Sequence, residues 1–294
     1  DGRDVGFAVL HLNGVETLGP RSSTTRGPTI FNVDEGGYPI DGLPKGKSVV
    51  GTYFMNATAF LYGTSSDPQG DYTVLFDGIG TLSFTGDVIN KTQVNSNKYT
   101  ITLKNNEPCS GASCRLQTVI KISSSSTSPN HVRNIRIIRN ELVDSYDENQ
   151  PFNQNYLDRL RNFSVLRFMD WKVTNANNET TWNTRRTPEW YTQGSSSTVA
   201  YIGVAPEYIY KMANIANKDV WINIPHAATD DYVQGLASML HQNLDPGKKI
   251  YLEYSNEIWN VFGWPIGANG AYVKDKGVAM GLAANTTLAR HYYQ

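Results

Sequence analysis

The stretch Tyr251-Leu-Glu-Tyr-Ser-Asn-Glu-Ile-Trp-Asn260 is the most informative in the chain. It begins as a strand, Lys249 to Tyr254, rich in aromatic and aliphatic side chains, and passes directly into the polar pair Asn256-Glu257 and then Trp259. The same arrangement, a short apolar strand running into a polar loop and then a helix, recurs upstream. Val220-Trp-Ile-Asn-Ile224 is a strand followed by a helix that Asp230 caps and that carries Val233, Leu236, Met239 and Leu240 at helical spacing. Val165-Leu-Arg-Phe-Met169 precedes a long polar and aromatic loop reaching to about Val204. The helix after it starts at Pro206 and has Tyr208, Met212 and Ile215 as its buried stripe. Asn134-Ile-Arg-Ile-Ile138, with the short helix Asn155 to Arg161 behind it, makes the first of four β/α units, and a last helix runs from Ala271 to about Tyr293.

Four such units in succession predict a parallel sheet with right-handed crossovers. A doubly wound sheet would carry a glycine-rich turn after its first strand, and Arg139-Asn-Glu-Leu142 has none. A (β/α)8 barrel fits better, because barrels carry function in the loops after their strands, and here those loops are long and aromatic. Residues 134–294 fall short of the roughly 250 of a whole barrel, so the expectation is an incomplete one of about four units.

Before residue 130 the pattern has period two. Tyr72 to Phe76, Thr81 to Phe84, Tyr99 to Leu103 and Leu116 to Ile122 alternate apolar and polar positions between Asp77-Gly78, Gly86-Asp87 and Asn105-Asn106 turns, as in an antiparallel sandwich. The polar run Ser123 to Asn130 reads as its end. The expected fold class is therefore mixed: a sandwich-like β domain over 1–130, then the first half of a TIM barrel over 131–294.

Composition narrows the function. Lys plus Arg number 26 against 27 Asp plus Glu, a net charge of -1, which removes the electrostatic basis for binding nucleic acid. No apolar run approaches the roughly 18 residues of a membrane span. The chain starts at Asp1 without a Met or an apolar leader and reads as a processed or truncated product. Cys109 and Cys114 lie in a Gly/Ser-rich turn that suits a small disulfide loop, with two free thiols as the alternative; a disulfide would place the protein outside the cytosol. Asn-X-Ser/Thr sequons occur at Asn56, Asn90, Asn162, Asn178 and Asn285, about as many as chance gives in a chain this rich in Asn, Ser and Thr. No metal site is expected, since the five His are scattered, and no cofactor is expected, no phosphate loop being present; without a Gly-x-Ser-x-Gly elbow the serine-nucleophile hydrolases also drop out.

The Asn256-Glu257 pair at the end of the fourth β/α strand resembles the acid/base signature of the large clan of retaining (β/α)8 glycoside hydrolases. The segments Phe31-Asn-Val-Asp-Glu-Gly-Gly-Tyr-Pro39, Gly70 to Phe84, Val132 to Arg136, Val165 to Trp171 and Asn223-Ile-Pro-His226 extend the likeness to secreted proteins in which a β-rich domain precedes such a barrel. The resemblance implies that Glu257 is the acid/base, that Asn256 binds the sugar 2-hydroxyl, and that the carboxylate nucleophile lies after the seventh strand, beyond Gln294. It further implies that Arg167 supports the catalytic carboxylates. Read from the residues alone, Arg167 equally suits an interior ion pair with Glu253, which by strand parity points inward.

His226, Asp170, Trp171, Trp190 and Trp259 are candidate sugar contacts. All six Trp lie from residue 171 onward, and of these Trp221, in mid-strand, is expected to be core. Two functions follow. One is an extracellular hydrolase acting on a polysaccharide with retention. The other is a non-catalytic extracellular structural or carbohydrate-binding glycoprotein, such as a filament or wall subunit, on the same scaffold. In either case the rest of the barrel, from the same precursor or a neighbouring subunit, is an expected partner.

Overall fold

The computed structural model describes residues 10–11, 38, 40–41, 49–56, 69–104, 115–147, 149–152, 154–177, 179–188, 202–261, 263 and 265–282. The chain divides into two compact units, one holding the described residues up to Tyr156 and the other those from Leu157 onward. The first is built from antiparallel sheets. The second has a parallel sheet with helices.

In the first unit one sheet contains β1 (Leu10–His11), β8 (Arg133–Arg139), β3 (Gly70–Asp77), β6 (Lys98–Leu103) and β5 (Val88–Asn95), in that order. The other is β2 (Val49–Asn56), β7 (Arg115–Ser125) and β4 (Gly80–Gly86). The alternation predicted for Tyr99 to Leu103 appears as strict alternation of burial along β6, with Tyr99, Ile101 and Leu103 inside. Those side chains meet Val74 and Phe76 of β3, Ile135 and Ile137 of β8, Leu82 and Phe84 of β4, and Ile120 and Ile122 of β7 in one buried cluster, so the two sheets share a core. Gly78, in the turn that carries the chain from β3 in one sheet to β4 in the other, has φ +88°, and a Cβ there would lie 2.0 Å from the His131 carbonyl oxygen.

Two expectations change here. Asn134 to Ile138 is a strand, but it pairs antiparallel with β3 and β1 and is not the first strand of the parallel sheet. The polar run Ser123 to Asn130 does not end the β region either. Its first three serines continue β7, where Ser123 and Ser124 pair with Ser83 and Thr81 hydroxyls across the sheet at 3.1 and 2.8 Å. Hydroxyl ladders suit an exposed strand face as well as a loop, and Ile135 and Ile137 find their burial in the β core. The division thus falls near residue 156 rather than at 130/131, and among the described residues three parallel strands stand where four were expected.

The second unit begins within α1 (Gln154–Arg159), which leads into a one-turn 3-10 segment, with Leu157 and Leu160 buried. Its sheet has the order β11 (Ile250–Tyr254), β10 (Asp219–Ile224), β9 (Val165–Arg167), all parallel and sequential. The connections carry α2 (Glu207–Ala216) and α3 (Asp230–Asn243), and α4 (Ile266–Ala279) follows β11. Pro206 caps α2 and Asn217 ends it in the left-handed conformation at φ 55°. Its buried stripe is Tyr208, Ile209, Met212 and Ala213, one position off the predicted Ile215, which is exposed. Thr229, not Asp230, is the N-cap of α3, accepting from the Tyr232 N–H, and Tyr232 rather than Val233 is its inward residue.

The long segment after β9 is a built structure. Lys172 and Glu179, 1% and 0% exposed, form an ion pair at 2.7 Å, and Glu179 also accepts from the Tyr232 hydroxyl at 2.9 Å and the Arg186 N–H at 3.2 Å. Trp182 stacks edge-on against Tyr232, over Gly235, where a Cβ would come within 2.3 Å of the indole. Burial opposes the Lys172 charge, but the adjoining Glu179 carboxylate outweighs it and raises the ammonium pKa above the ordinary lysine value. Burial, with Glu179 nearby, pushes the Tyr232 phenol up to about 12.

Both shifts mean that the folded chain holds protons that the unfolded chain has lost. The stabilisation is therefore complete below about pH 10 and decays as pH rises beyond it. Urea unfolding across pH 8 to 11.5 should show stability falling above pH 10. Glu179→Ala should cost about 3 to 5 kcal/mol at neutral pH, because it strands a buried ammonium.

Candidate functional site

Register places the chemistry of the parallel sheet in rows. Arg167, Trp221 and Tyr251 lie side by side across β9, β10 and β11, and Asn223 and Glu253 form the next row toward the strand ends. The intervening Val220 and Ile222 are fully buried on the opposite face. Glu253 is the hub. Its carboxylate accepts from Arg167 Nη2 at 2.7 and 3.0 Å, Arg167 Nε at 3.2 Å, Trp221 Nε1 at 2.8 Å and Asn223 Nδ2 at 2.8 Å. The Arg167 guanidinium also lies over the Trp221 ring, 5.0 Å from its centroid. The ion pair considered for Arg167 with Glu253 is present, but Arg167 is exposed, so the pair is not interior. Trp221 is not core: it is 39% exposed, while its strand neighbours Val220 and Ile222, on the other face of β10, are fully buried.

Beyond β11 the chain leaves the extended conformation. Ser255 and Glu257 have φ of 53° and 45°, left-handed values that cost a side-chain-bearing residue about 1 kcal/mol or more each. Three consecutive carbonyls hold this turn in place. Ser255 O accepts from Asn223 Nδ2 at 2.7 Å, Asn256 O from Asn269 Nδ2 at 3.0 Å, and Glu257 O from the Asn260 N–H at 2.8 Å. Helix α4 supplies Asn269 and approaches so closely that a Cβ on Gly270 would lie 2.2 Å from the Asn260 carbonyl oxygen. Strand parity therefore stops applying at Ser255, and Glu257 is aimed by the turn rather than by the strand.

The predicted residues separate into two groups. Asn256, 6% exposed, is joined to Arg167, whose Nη2 donates to its Oδ1 at 3.1 Å, and Glu257 follows it half-buried, with Asn260 Nδ2 3.4 Å from Oε2. His226, just past β10, packs edge-on against Tyr272 of α4. Burial lowers its pKa, with a hydrogen bond to Asn269 opposing, so at neutral pH the ring is uncharged. Trp259 is 60% exposed in the same turn.

Asp170 and Trp171 serve the preceding loop. The Asp170 carbonyl closes a turn onto the Val173 N–H, and Trp171 packs edge-on against Phe168 while its carbonyl accepts from the Val204 N–H. Trp190, Cys109, Cys114, Asn178 and Asn285 lie outside the described residues. Asn90 on β5 and Asn162 are exposed, and Asn56 is on β2.

Sequence reasoning missed Asn175, Asn223 and Asn269, which carry the amides of the site. Asn223 sits one strand over from Glu253 and was legible from parity, whereas Asn175 and Asn269 gave no signal in a chain so rich in asparagine. Among the described residues, no cluster of three or more His, Cys, Asp or Glu side chains is placed to hold a metal ion, and no helix is long and apolar enough to cross a membrane.

Glu253→Ala should destabilise the chain by about 1 to 3 kcal/mol in urea unfolding, since it leaves several donors without their shared acceptor. Gly270→Ala should cost a similar amount, because the Asn260 backbone has to move.

Comparison with protein-family profiles, with curated proteins and with solved structures finds no match for this chain.

Proposed function

We propose that this chain belongs to an extracellular glycoside hydrolase-like protein that cleaves a polysaccharide with retention, Glu257 being the general acid/base. The β/α units are read as an arc of an incomplete TIM barrel. The observation that carries the reading is the Asn256-Glu257 turn at the carboxyl edge of a parallel sheet, held left-handed by three carbonyl hydrogen bonds, with Arg167 orienting Asn256. Strain maintained against its cost at a strand end is a mark of function, and the carboxyl edge is where such folds carry their chemistry.

In this mechanism the Glu257 carboxyl gives its proton to the glycosidic oxygen as the C–O bond breaks and a second carboxylate bonds to the anomeric carbon. Glu257 then takes a proton from the water that hydrolyses the glycosyl ester. The second carboxylate belongs about 5 to 5.5 Å from Glu257. Glu253 is already engaged by Arg167, Trp221 and Asn223, so the reading assigns the nucleophile to a later strand of the barrel. Asn256 and exposed Trp259 supply a hydroxyl contact and a stacking face.

A second reading, a non-catalytic extracellular structural or carbohydrate-binding glycoprotein, is favoured by one feature. Strand β11 lies at the edge of its sheet among the described residues, and its Ile250, Tyr251, Leu252 and Tyr254 are all exposed, an apolar edge suited to assembly.

Glu257→Gln decides between the two. For the longer protein that carries the second carboxylate, assayed on a panel of β-linked polysaccharides, the hydrolase reading expects kcat to fall by about 10² to 10⁴ while the fold is retained. Wild-type protein that releases no reducing ends from any of them would leave the structural reading standing.

A further inference from the structure

The direction of the Asn256 amide is set by its neighbours. Arg167 can only donate, so the Asn256 atom 3.1 Å from its Nη2 is Oδ1, and Nδ2 is turned away from it, onto Asn175 Oδ1 at 3.1 Å. Asn175 Oδ1 accepts a second bond, from Asn269 Nδ2 at 3.0 Å. The same Asn269 nitrogen reaches the Asn256 carbonyl at 3.0 Å, and Asn269 Oδ1 accepts from the Ala176 N–H at 3.0 Å. Each end of this relay has one possible polarity. Arg167 and the Ala176 N–H only donate, and the Asn256 carbonyl only accepts, so all three side-chain amides have a forced orientation.

The segment that presents Asn175 is itself held against its preference. Val173 and Ala176, on either side of it, have φ of 45° and 60°, and for the β-branched Val173 this is a rare conformation. The loop is kept there by Thr174, whose N–H and hydroxyl both donate to the Met169 carbonyl, and by the buried Asn177, which donates to the Lys172 carbonyl. Asn269 is fully buried on α4, so the relay ties the loop after β9, the turn after β11 and the following helix to one another.

We propose that Asn175 is a positioning residue for Asn256. By occupying one Nδ2 hydrogen while Arg167 occupies Oδ1, it leaves Asn256 a single outward N–H, which selects an acceptor oxygen such as a sugar hydroxyl. This rests on the glycoside hydrolase reading of the same site. It adds a determinant of specificity from a loop that contributes no acid, base or nucleophile.

Two near-isosteric variants of the full chain test it. Asn175→Asp keeps the acceptor oxygen and Asn175→Leu removes it. In crystal structures, Asn175→Asp should retain the Arg167 to Asn256 Oδ1 contact within about 3.2 Å, and in Asn175→Leu the Asn256 amide should turn so that this contact is lost. An Asn256 side chain unmoved in Asn175→Leu overturns the proposal, whether or not a glycan binds. With β-linked oligosaccharides as the probe, at a temperature where both variants are fully folded, Asn175→Leu should weaken binding by about tenfold and Asn175→Asp by less than about threefold; Asn175→Leu also lowers the Tm, because the Asn256 and Asn269 amides lose their shared acceptor. Equal weakening in both variants would reduce Asn175 to a structural role and overturn the assignment. Wild-type protein that binds none of these sugars counts against the glycoside hydrolase reading, while the crystal comparison still decides whether Asn175 orients Asn256.

Discussion

The Glu253 carboxylate is the constraint on which the second unit depends. One anion on β11 takes hydrogen bonds from Arg167 on β9 and from Trp221 and Asn223 on β10, so a single group ties all three parallel strands together on one face. Backbone pairing alone leaves a strand free to slip by two residues without changing which face is buried. The carboxylate removes that freedom, because its donors converge only in the observed register. Arg167 is fixed as a consequence, and from there the order passes to the Asn256 amide and the turn that carries Glu257.

That turn shows how a costly local conformation is maintained. Left-handed φ at Ser255 and Glu257 is unfavourable for residues with side chains, yet the carbonyls of residues 255 to 257 each have a donor, two of them asparagine side chains from neighbouring elements. Asparagine suits this work because one amide both gives and accepts hydrogen bonds and carries no charge to desolvate. The low charge content of the chain, 18%, and its wealth of asparagine become intelligible at this site. Elsewhere the unit does bury charge, but in a self-contained form: Lys172 and Glu179 neutralise each other beneath Tyr232 and hold the loop from which Asn175 reaches the site.

Legibility followed the range of the interaction. The strands at 72–76, 81–84, 99–103 and 116–122 and the three helices at 154–159, 207–216 and 230–243 were readable because burial on one face imposes a period on the residues themselves. Asn134 to Ile138 was readable as a strand but not as to which sheet it joins, since a run of Ile and Arg suits a parallel or an antiparallel neighbour equally. Trp221 was misjudged for a related reason: its side of β10 is settled by where the helices pack, not by its being in mid-strand. The pairing of Arg167 with Glu253 could be anticipated, because parity and complementary charge agree.

Local pattern and chemistry were therefore enough to give the element types, the mixed class and the polar turn after the last strand, while the candidate roles of Asn256 and Glu257 come from the resemblance to retaining glycoside hydrolases. Sheet membership, the place near residue 156 where one unit gives way to the next, and the asparagine relay came from tertiary packing alone. The reason is physical. Periodicity records only whether a side chain faces in or out, whereas an amide at residue 175 acquires its meaning from partners 81 and 94 residues away in the chain, brought within hydrogen-bonding distance by the packing of helices and strands.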